Sequence, residues 1–127
     1  NTDGTNISIQ YSILDQEISI DRHLDYSPAT SSNILDESWH LITYVEDGTD
    51  QFVYVDGILD FSRTIEQYWT WASVERIVFG GAVCGHDPFV GDFGYLSLYS
   101  EAQNAEEVLT NYDAIKALLS QQNITLP

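Results

Sequence analysis

Basic residues are scarce in this chain of 127 residues. Acidic residues number 20, and they outnumber the basic ones so strongly that the formal net charge is −16. Proteins that bind nucleic acid or an anionic membrane surface do so through clusters of Lys and Arg. The sequence has no such cluster, so we expect neither partner. The basic residues are Arg22, Arg63, Arg76 and Lys116.

Cysteine and long apolar runs are scarce as well. Cys84 is the single cysteine, so we expect no disulfide within the chain and no zinc site. Its thiol is either unpaired or bonded to a segment outside this sequence, and the residues leave both open. The longest apolar runs, residues 41–45 and 77–79, fall far short of the roughly 20 residues that cross a bilayer. We therefore predict a fold stabilised by packing, without membrane insertion.

Alternating apolar residues predict strands at the start of the chain. Residues 5–11 carry Ile7, Ile9 and Tyr11, and residues 13–20 carry Ile18 and Ile20 in the same alternation, which is typical of half-buried antiparallel strands. The turn between them is expected at residues 15–16. Residues 25–36, which contain Pro28 and are rich in Ser and Thr, are predicted to be an irregular connection.

The clearest unit is a β-hairpin at residues 39–55. Both arms are rich in β-branched and aromatic residues, and the Asp-Gly pair at residues 47–48 provides the positive φ that a tight turn needs. A second Asp-Gly pair, residues 56–57, sends the chain back into residues 58–61. We therefore predict a three-stranded meander.

Two further strands and one helix complete the predicted elements. We expect strands at residues 74–79 and 89–99, the second covered on much of both faces. Residues 104–119 have helical spacing, with Asn104 as N-cap and Glu107 completing a capping box. One helix after about seven strands is typical of a sandwich. The apolar stripe of the helix is predicted to be Ala105, Val108, Leu109, Tyr112, Ile115 and Leu119.

The hairpin resembles the signature of laminin G-like and pentraxin-like domains. Residues 37–59 read ESWHLITYVEDGTDQFVYVDGIL; in that family a Trp-His pair opens a strand and the next strand ends in Tyr-Val-Asp-Gly. Residues 74–81, VERIVFGG, are similar to a family strand that ends in Gly-Gly. Residues 89–108, FVGDFGYLSLYSEAQNAEEV, are similar to its Phe-x-Gly-x-Ile-Gly strand and the short helix that follows.

This resemblance implies an all-β fold, an antiparallel two-sheet jelly-roll sandwich of the concanavalin A-like type with one short C-terminal helix. The resemblance covers residues 39–112 well and the first 36 loosely, and the opening strands of the family are not recognised. We therefore expect residues 1–127 to be a single domain of this type or its C-terminal portion. In the second case a neighbouring chain or segment would complete the sheet.

Catalytic residues are not expected. Sandwich hydrolases related to this family carry Glu-x-Asp-x-x-Glu on one strand, where alternation brings the carboxylates together, and this sequence has no such run. We interpret His40 as a histidine that packs against the sheet or is solvated, not as a general base. We therefore predict that the protein is not an enzyme.

Calcium is the cofactor that the resemblance suggests, because carboxylates in rim loops are suitable oxygen ligands. The candidate ligands are Asp87 and Asp92, near the loop after Gly80-Gly81, and Asp47 and Asp50 in the first hairpin turn. The alternative is that an acidic chain places carboxylates in every loop for solubility.

Tyr68, Trp69 and Trp71 are the candidate ligand-binding residues, since exposed rings stack on the apolar face of a sugar. The alternative is that Trp69 and Trp71 fill one end of the core, where we place Trp39.

We predict a noncatalytic extracellular or cell-surface module that recognises a glycan or glycoprotein, with a lectin-like or adhesive role. Two alternatives remain, a structural sandwich module of a surface filament, capsid or matrix assembly and an accessory domain of a carbohydrate-active enzyme. The Asn-x-Ser/Thr sequons at Asn6 and Asn123 are candidate glycosylation sites.

Overall fold

The computed structural model describes two three-stranded antiparallel sheets and one helix. The residues that it describes are 7–12, 17–22, 25–28, 34, 36–64 and 90–127. The strands are β1 (Ile7–Ser12), β2 (Glu17–Arg22), β3 (Asp25–Pro28), β4 (Ile42–Glu46), β5 (Asp50–Val55) and β6 (Ile58–Thr64), and the helix is α1 (Ala105–Ser120).

The first sheet has the order β1-β2-β3. The predicted pair of antiparallel strands is confirmed, with Ile9 opposite Ile20; its turn lies outside the described residues. The prediction of an irregular connection from residue 25 is wrong for its first four residues, which form β3. Two residues separate Arg22 from its partner Asp25, and so short a connection returns the chain along β2. Pro28 ends β3, a position where a strand tolerates proline.

The second sheet is the predicted meander, in the order β4-β5-β6. Gly48 has a φ of 92° in the first turn, and Asp56 and Gly57 have φ of 52° and 79° in the second. In the second turn, positive φ at both central residues matches the twist of a hairpin. Both Asp-Gly turns are thus confirmed, but β4 begins at Ile42 and not at Trp39.

Both faces of the second sheet are buried at β5. Val53 is 0% exposed and Tyr54, which points to the opposite face, is 4% exposed. Val53 packs with side chains of β4 and β6, whereas Tyr54 and Val45 pack against Val108 of the helix. Helix α1 therefore contacts one face of this sheet through Val108.

Helix α1 begins as predicted. The Asn104 side chain accepts hydrogen bonds from the N–H groups of Glu106 and Glu107, and the Glu107 carboxylate accepts the Asn104 N–H in return. This reciprocal pair satisfies N–H groups that the first turn leaves without helical partners. The predicted apolar stripe is too wide, because Ala105 and Leu109 are exposed. The buried residues of the helix are Val108, Tyr112, Ile115 and Leu119.

A second core lies along the C-terminal part of α1. Tyr112, Ile115, Leu119 and Leu126 form it, and Trp39 packs against it, as predicted. Other half-buried side chains that pack there are Leu41, Tyr95 and Ile124. The residues before β4 are therefore part of a hydrophobic cluster, which is why the strand starts late.

Residues 90–99 differ from the prediction. They form no strand within the described part of the chain, and Leu98 is 68% exposed, so the expected cover on both faces is not found there. The segment is held by close packing at Gly94, where an added Cβ would lie 3.0 Å from Ile124 Cδ1 and 3.3 Å from Trp39 Cζ3. The predicted strand at residues 74–79 lies outside the described residues.

Helix α1 lacks the length and the apolar character that a membrane-crossing helix requires, and no other helix is found in the described ranges.

Candidate functional site

His40 lies between two carboxylates. Its Nδ1 is 2.7 Å from Asp56 Oδ2, and its Nε2 is 3.0 Å from Asp36 Oδ1. The side chain is 12% exposed. We call these three residues, Asp36, His40 and Asp56, the His40 clasp.

Asp56 joins the turn between β5 and β6 to the residues that lead into β4. Its Oδ1 accepts the N–H of Leu41 at 3.0 Å, and its own N–H donates to the Leu41 carbonyl at 2.9 Å. One aspartate thus holds both the backbone of Leu41 and the ring of His40. This explains in physical terms why a Trp-His pair and a Tyr-Val-Asp-Gly turn occur together in this sequence.

Gly57 completes this turn beneath the helix. A Cβ at this position would lie 3.0 Å from Tyr112 Cγ and 3.1 Å from Tyr112 Cβ. A side chain here would be strained by the positive φ and would crowd the Tyr112 ring. The turn that binds His40 through Asp56 is therefore also in contact with Tyr112 of α1.

The geometry of the clasp fits a protonated ring. Carboxylates accept hydrogen bonds only, and imidazole donates from both nitrogens only when it is charged. Burial of the ring opposes the charge, but the hydrogen bonds to Asp56 and Asp36 outweigh it and raise the pKa of His40 above its ordinary value. The hydrogen bond from His40 lowers the pKa of Asp36. A protonated ring engaged at both nitrogens has no free lone pair to act as a base.

A polar row crosses the second sheet on the face of Val53, and the sequence analysis did not identify it. Tyr44 Oη donates to Glu46 Oε2 at 2.6 Å, Gln51 Nε2 donates to Tyr44 Oη at 2.8 Å, and Arg63 Nε donates to Gln51 Oε1 at 2.7 Å. Gln51 is 0% exposed, so these bonds satisfy an amide that burial would otherwise destabilise. The alternation of side chains along a strand could have indicated that Gln51 is buried, since it places Gln51 and Val53 on the same face.

Of the predicted calcium ligands, the structure describes Asp47, Asp50 and Asp92. Asp47 Oδ1 accepts the N–H groups of Asp50 and Thr49 at 2.7 and 2.8 Å, and these bonds lower the pKa of Asp47. Asp92 is exposed, and Asp87 is outside the described residues. No three His, Cys, Asp or Glu side chains of the described ranges are grouped closely enough to hold a metal. The calcium site stays a prediction.

The predicted sugar-binding residues, Tyr68, Trp69 and Trp71, lie outside the described residues, as does the sequon at Asn6. The second sequon is described: Asn123 is exposed in the turn after α1, with a φ of 62°.

Residues 2–109 match the family model of a laminin G-type family described as the concanavalin A-like lectin/glucanases superfamily. The chain belongs to this superfamily. The match confirms the family resemblance that the Trp-His and Tyr-Val-Asp-Gly hairpin indicated. In this chain, His40 and Asp56 of that hairpin belong to the His40 clasp.

One solved structure is similar to this superfamily member, an S-layer domain-containing protein from Clostridium thermocellum, residues 221–444. The two chains share 10% sequence identity with a TM-score of 0.54, over 88% of this chain and 65% of that one. The chain thus spans slightly less than two thirds of that structure, and the likeness concerns the fold alone. A search of curated proteins finds no match.

Proposed function

We propose that this superfamily member is a noncatalytic module that binds a glycan or glycoprotein outside the cell, built as a two-sheet jelly-roll sandwich. The observation that carries the proposal is the superfamily match over residues 2–109. A fold by itself does not fix a function. The chemistry of the described side chains therefore has to decide between binding and catalysis.

The described carboxylates around His40 favour binding. Glycoside hydrolysis by the usual route needs two carboxyl groups that flank the scissile bond and are free to act on it. Asp36 and Asp56 are bound to His40, and Asp47 is bound to the amides of its own turn. Because these three carboxylates are engaged within the fold, they support a role in surface recognition over one in glycoside hydrolysis.

The ligand is expected at the margin of the sheets. Because Val53 and Tyr54 are both buried, a ligand cannot lie on the middle of β5 from either side. The loops remain, and Tyr68, Trp69 and Trp71 lie in the sequence between β6 and residue 90. Their rings would stack on a sugar. A calcium ion held by Asp87 and Asp92 would bind oxygen atoms of the ligand.

A glycan array tests this proposal. We expect saturable binding by the unmodified protein and a loss of at least about tenfold, or ~1.4 kcal/mol, in the double variant W69A/W71A. The variant Y99A is the control, since Tyr99 is an exposed aromatic residue of another segment. Repeating the array with EDTA tests the calcium component.

Two results would contradict the proposed site. The first is that W69A/W71A binds as well as Y99A does. The second is that W69A/W71A unfolds at a much lower urea concentration, which would place the two rings in the core.

A second candidate is a structural module of a surface assembly. The similar solved structure belongs to an S-layer domain-containing protein, and Ile58, Val90 and Leu98 are exposed apolar residues here. In this case a neighbouring chain or segment would cover them and complete the sheet. Sedimentation over a range of concentrations distinguishes the candidates, because an assembly module would form larger species and a binding module would remain monomeric.

A further inference from the structure

The His40 clasp connects parts of the chain that are far apart in sequence. Asp56 lies 16 residues after His40, and Asp36 lies four residues before it. Asp36 also accepts the N–H of Ser38 at 2.9 Å, so residues 36–38 form a small turn attached to the ring. Through His40 this turn is tied to the connection between β5 and β6.

The two carboxylates of the clasp hold the ring unequally. Asp56 has a side chain that is 15% exposed, and its second oxygen is fixed by the Leu41 N–H. Asp36 has a side chain that is 48% exposed and contacts the ring at the longer distance of 3.0 Å. Hydrogen bonds are stronger where water is excluded, so the bond to Asp56 is the better protected of the two.

A neutral ring cannot keep both bonds. It carries one N–H, and the other nitrogen would present a lone pair to a carboxylate. Since the Asp56 bond is shorter and less exposed, the remaining proton stays on Nδ1. The bare Nε2 then faces the ionised carboxylate of Asp36, and that contact is lost.

We propose that the His40 clasp is a pH-sensitive latch, in which the protonated ring holds residues 36–38 against the connection between β5 and β6 and the loss of its Nε2 proton releases them. The bond to Asp56 is retained in both states. The latch goes beyond the proposed function and requires no ligand, so its test and the glycan array can fail independently.

The charges around the ring set the direction of the response. Within the described residues, the charged groups that act on His40 are Asp56, from the connection between β5 and β6, and Asp36, from the segment before it, and both raise the pKa of His40 against the effect of burial. The ordinary pKa of histidine is about 6.5. The latch is therefore fully closed below this pH and opens as the pH rises through the higher pKa of the folded protein.

Nuclear magnetic resonance of the three histidines and the backbone amides tests the latch. In the unmodified protein we expect His40 to titrate above its ordinary range and its neutral form to carry the proton on Nδ1. The Ser38 amide shift should follow the same titration curve, and its protection from hydrogen exchange, relative to the intrinsic rate at each pH, should fall at the high-pH end. The Leu41 amide, held by Asp56, should change much less.

Two matched variants identify the carboxylate that is responsible. In D36N the charge is removed while the side-chain oxygen can still accept the Ser38 N–H, so the pKa of His40 should fall and the Ser38 amide should lose its pH response. D113N removes one charge from an exposed position of α1 and should leave the pKa of His40 unchanged.

The latch is refuted by any of four results. His40 could titrate at or below its ordinary range, the Ser38 amide could fail to follow His40, or D36N and D113N could shift the pKa of His40 equally. A neutral ring protonated on Nε2 would also overturn it, because Asp36 would then be the retained partner.

Discussion

Replacement of Gly57 by alanine is expected to destabilise the protein at the contact between the hairpin turn and the helix. Gly57 has a φ of 79°, and a non-glycine residue in the left-handed region costs about 1 to 2 kcal/mol. The new Cβ would also lie 3.0 Å from Tyr112 Cγ, and overpacking of this kind costs about 1 to 3 kcal/mol. We therefore expect the free energy of unfolding to fall by roughly 2 to 5 kcal/mol, measured by urea denaturation.

Gly48 provides the matched control. Its φ is 92°, but an added Cβ would meet no atom within 4 Å, so G48A should lose only the backbone contribution, about 1 to 2 kcal/mol. The difference between the two variants measures the contact with Tyr112. In a double-mutant cycle, G57A should be less costly in the Y112A background by about 0.5 to 3 kcal/mol. Equal losses for G57A and G48A, or no coupling to Tyr112, would refute the reasoning.

Three further outcomes are expected. N104A removes the acceptor for two N–H groups of the first helical turn and should lower the free energy of unfolding by about 1 kcal/mol, with T110A as a control in the same helix; no loss in urea denaturation would contradict the cap. Because the pKa of His40 is raised by folding, the unmodified protein should lose stability relative to H40Q as the pH rises through that pKa, and a constant difference between their urea midpoints across this range would contradict the clasp. Calcium at about 100 times its dissociation constant should raise the free energy of unfolding by ~2.7 kcal/mol in scanning calorimetry, and D87N should abolish the gain; an unchanged transition would argue against a calcium site.

Local chemistry made much of the second sheet and the helix predictable. The Asp-Gly pairs dictate positive φ, and alternation in residues 51–55 assigns the faces of β5. Asn104 and Glu107 mark the start of the helix by the bonds that they can make. Each of these signals operates within a few residues, where propensity and geometry suffice.

Long-range contacts explain where prediction failed. The late start of β4 depends on Trp39 packing against a core supplied by residues of α1 and beyond. Residues 90–99 have the composition of a strand, but Leu96 and Leu98 are 54% and 68% exposed, and composition does not show which side chains the tertiary structure buries. Strand β3 forms in a segment rich in turn residues because β2 offers it an adjacent edge.

The contacts of the His40 clasp could not be predicted from the sequence for the same reason. Sequence reasoning placed Asp56 in a turn, correctly, and His40 in the first strand of the hairpin, whereas β4 begins only at Ile42. Nothing in their spacing of 16 residues indicated that the two side chains contact each other. The contact follows from the register of the hairpin, with Ile42 opposite Val55, which brings the residues just before β4 beside the end of β5.

The most direct test of the central claim, noncatalytic glycan binding, is to recover the bound glycan and measure its mass. The tightest ligand of the array is incubated with the protein for many hours and then analysed by mass spectrometry. A noncatalytic binding module predicts saturable binding and a glycan of unchanged mass. A cleaved glycan, or no saturable binding to any glycan or glycoprotein, would contradict the account.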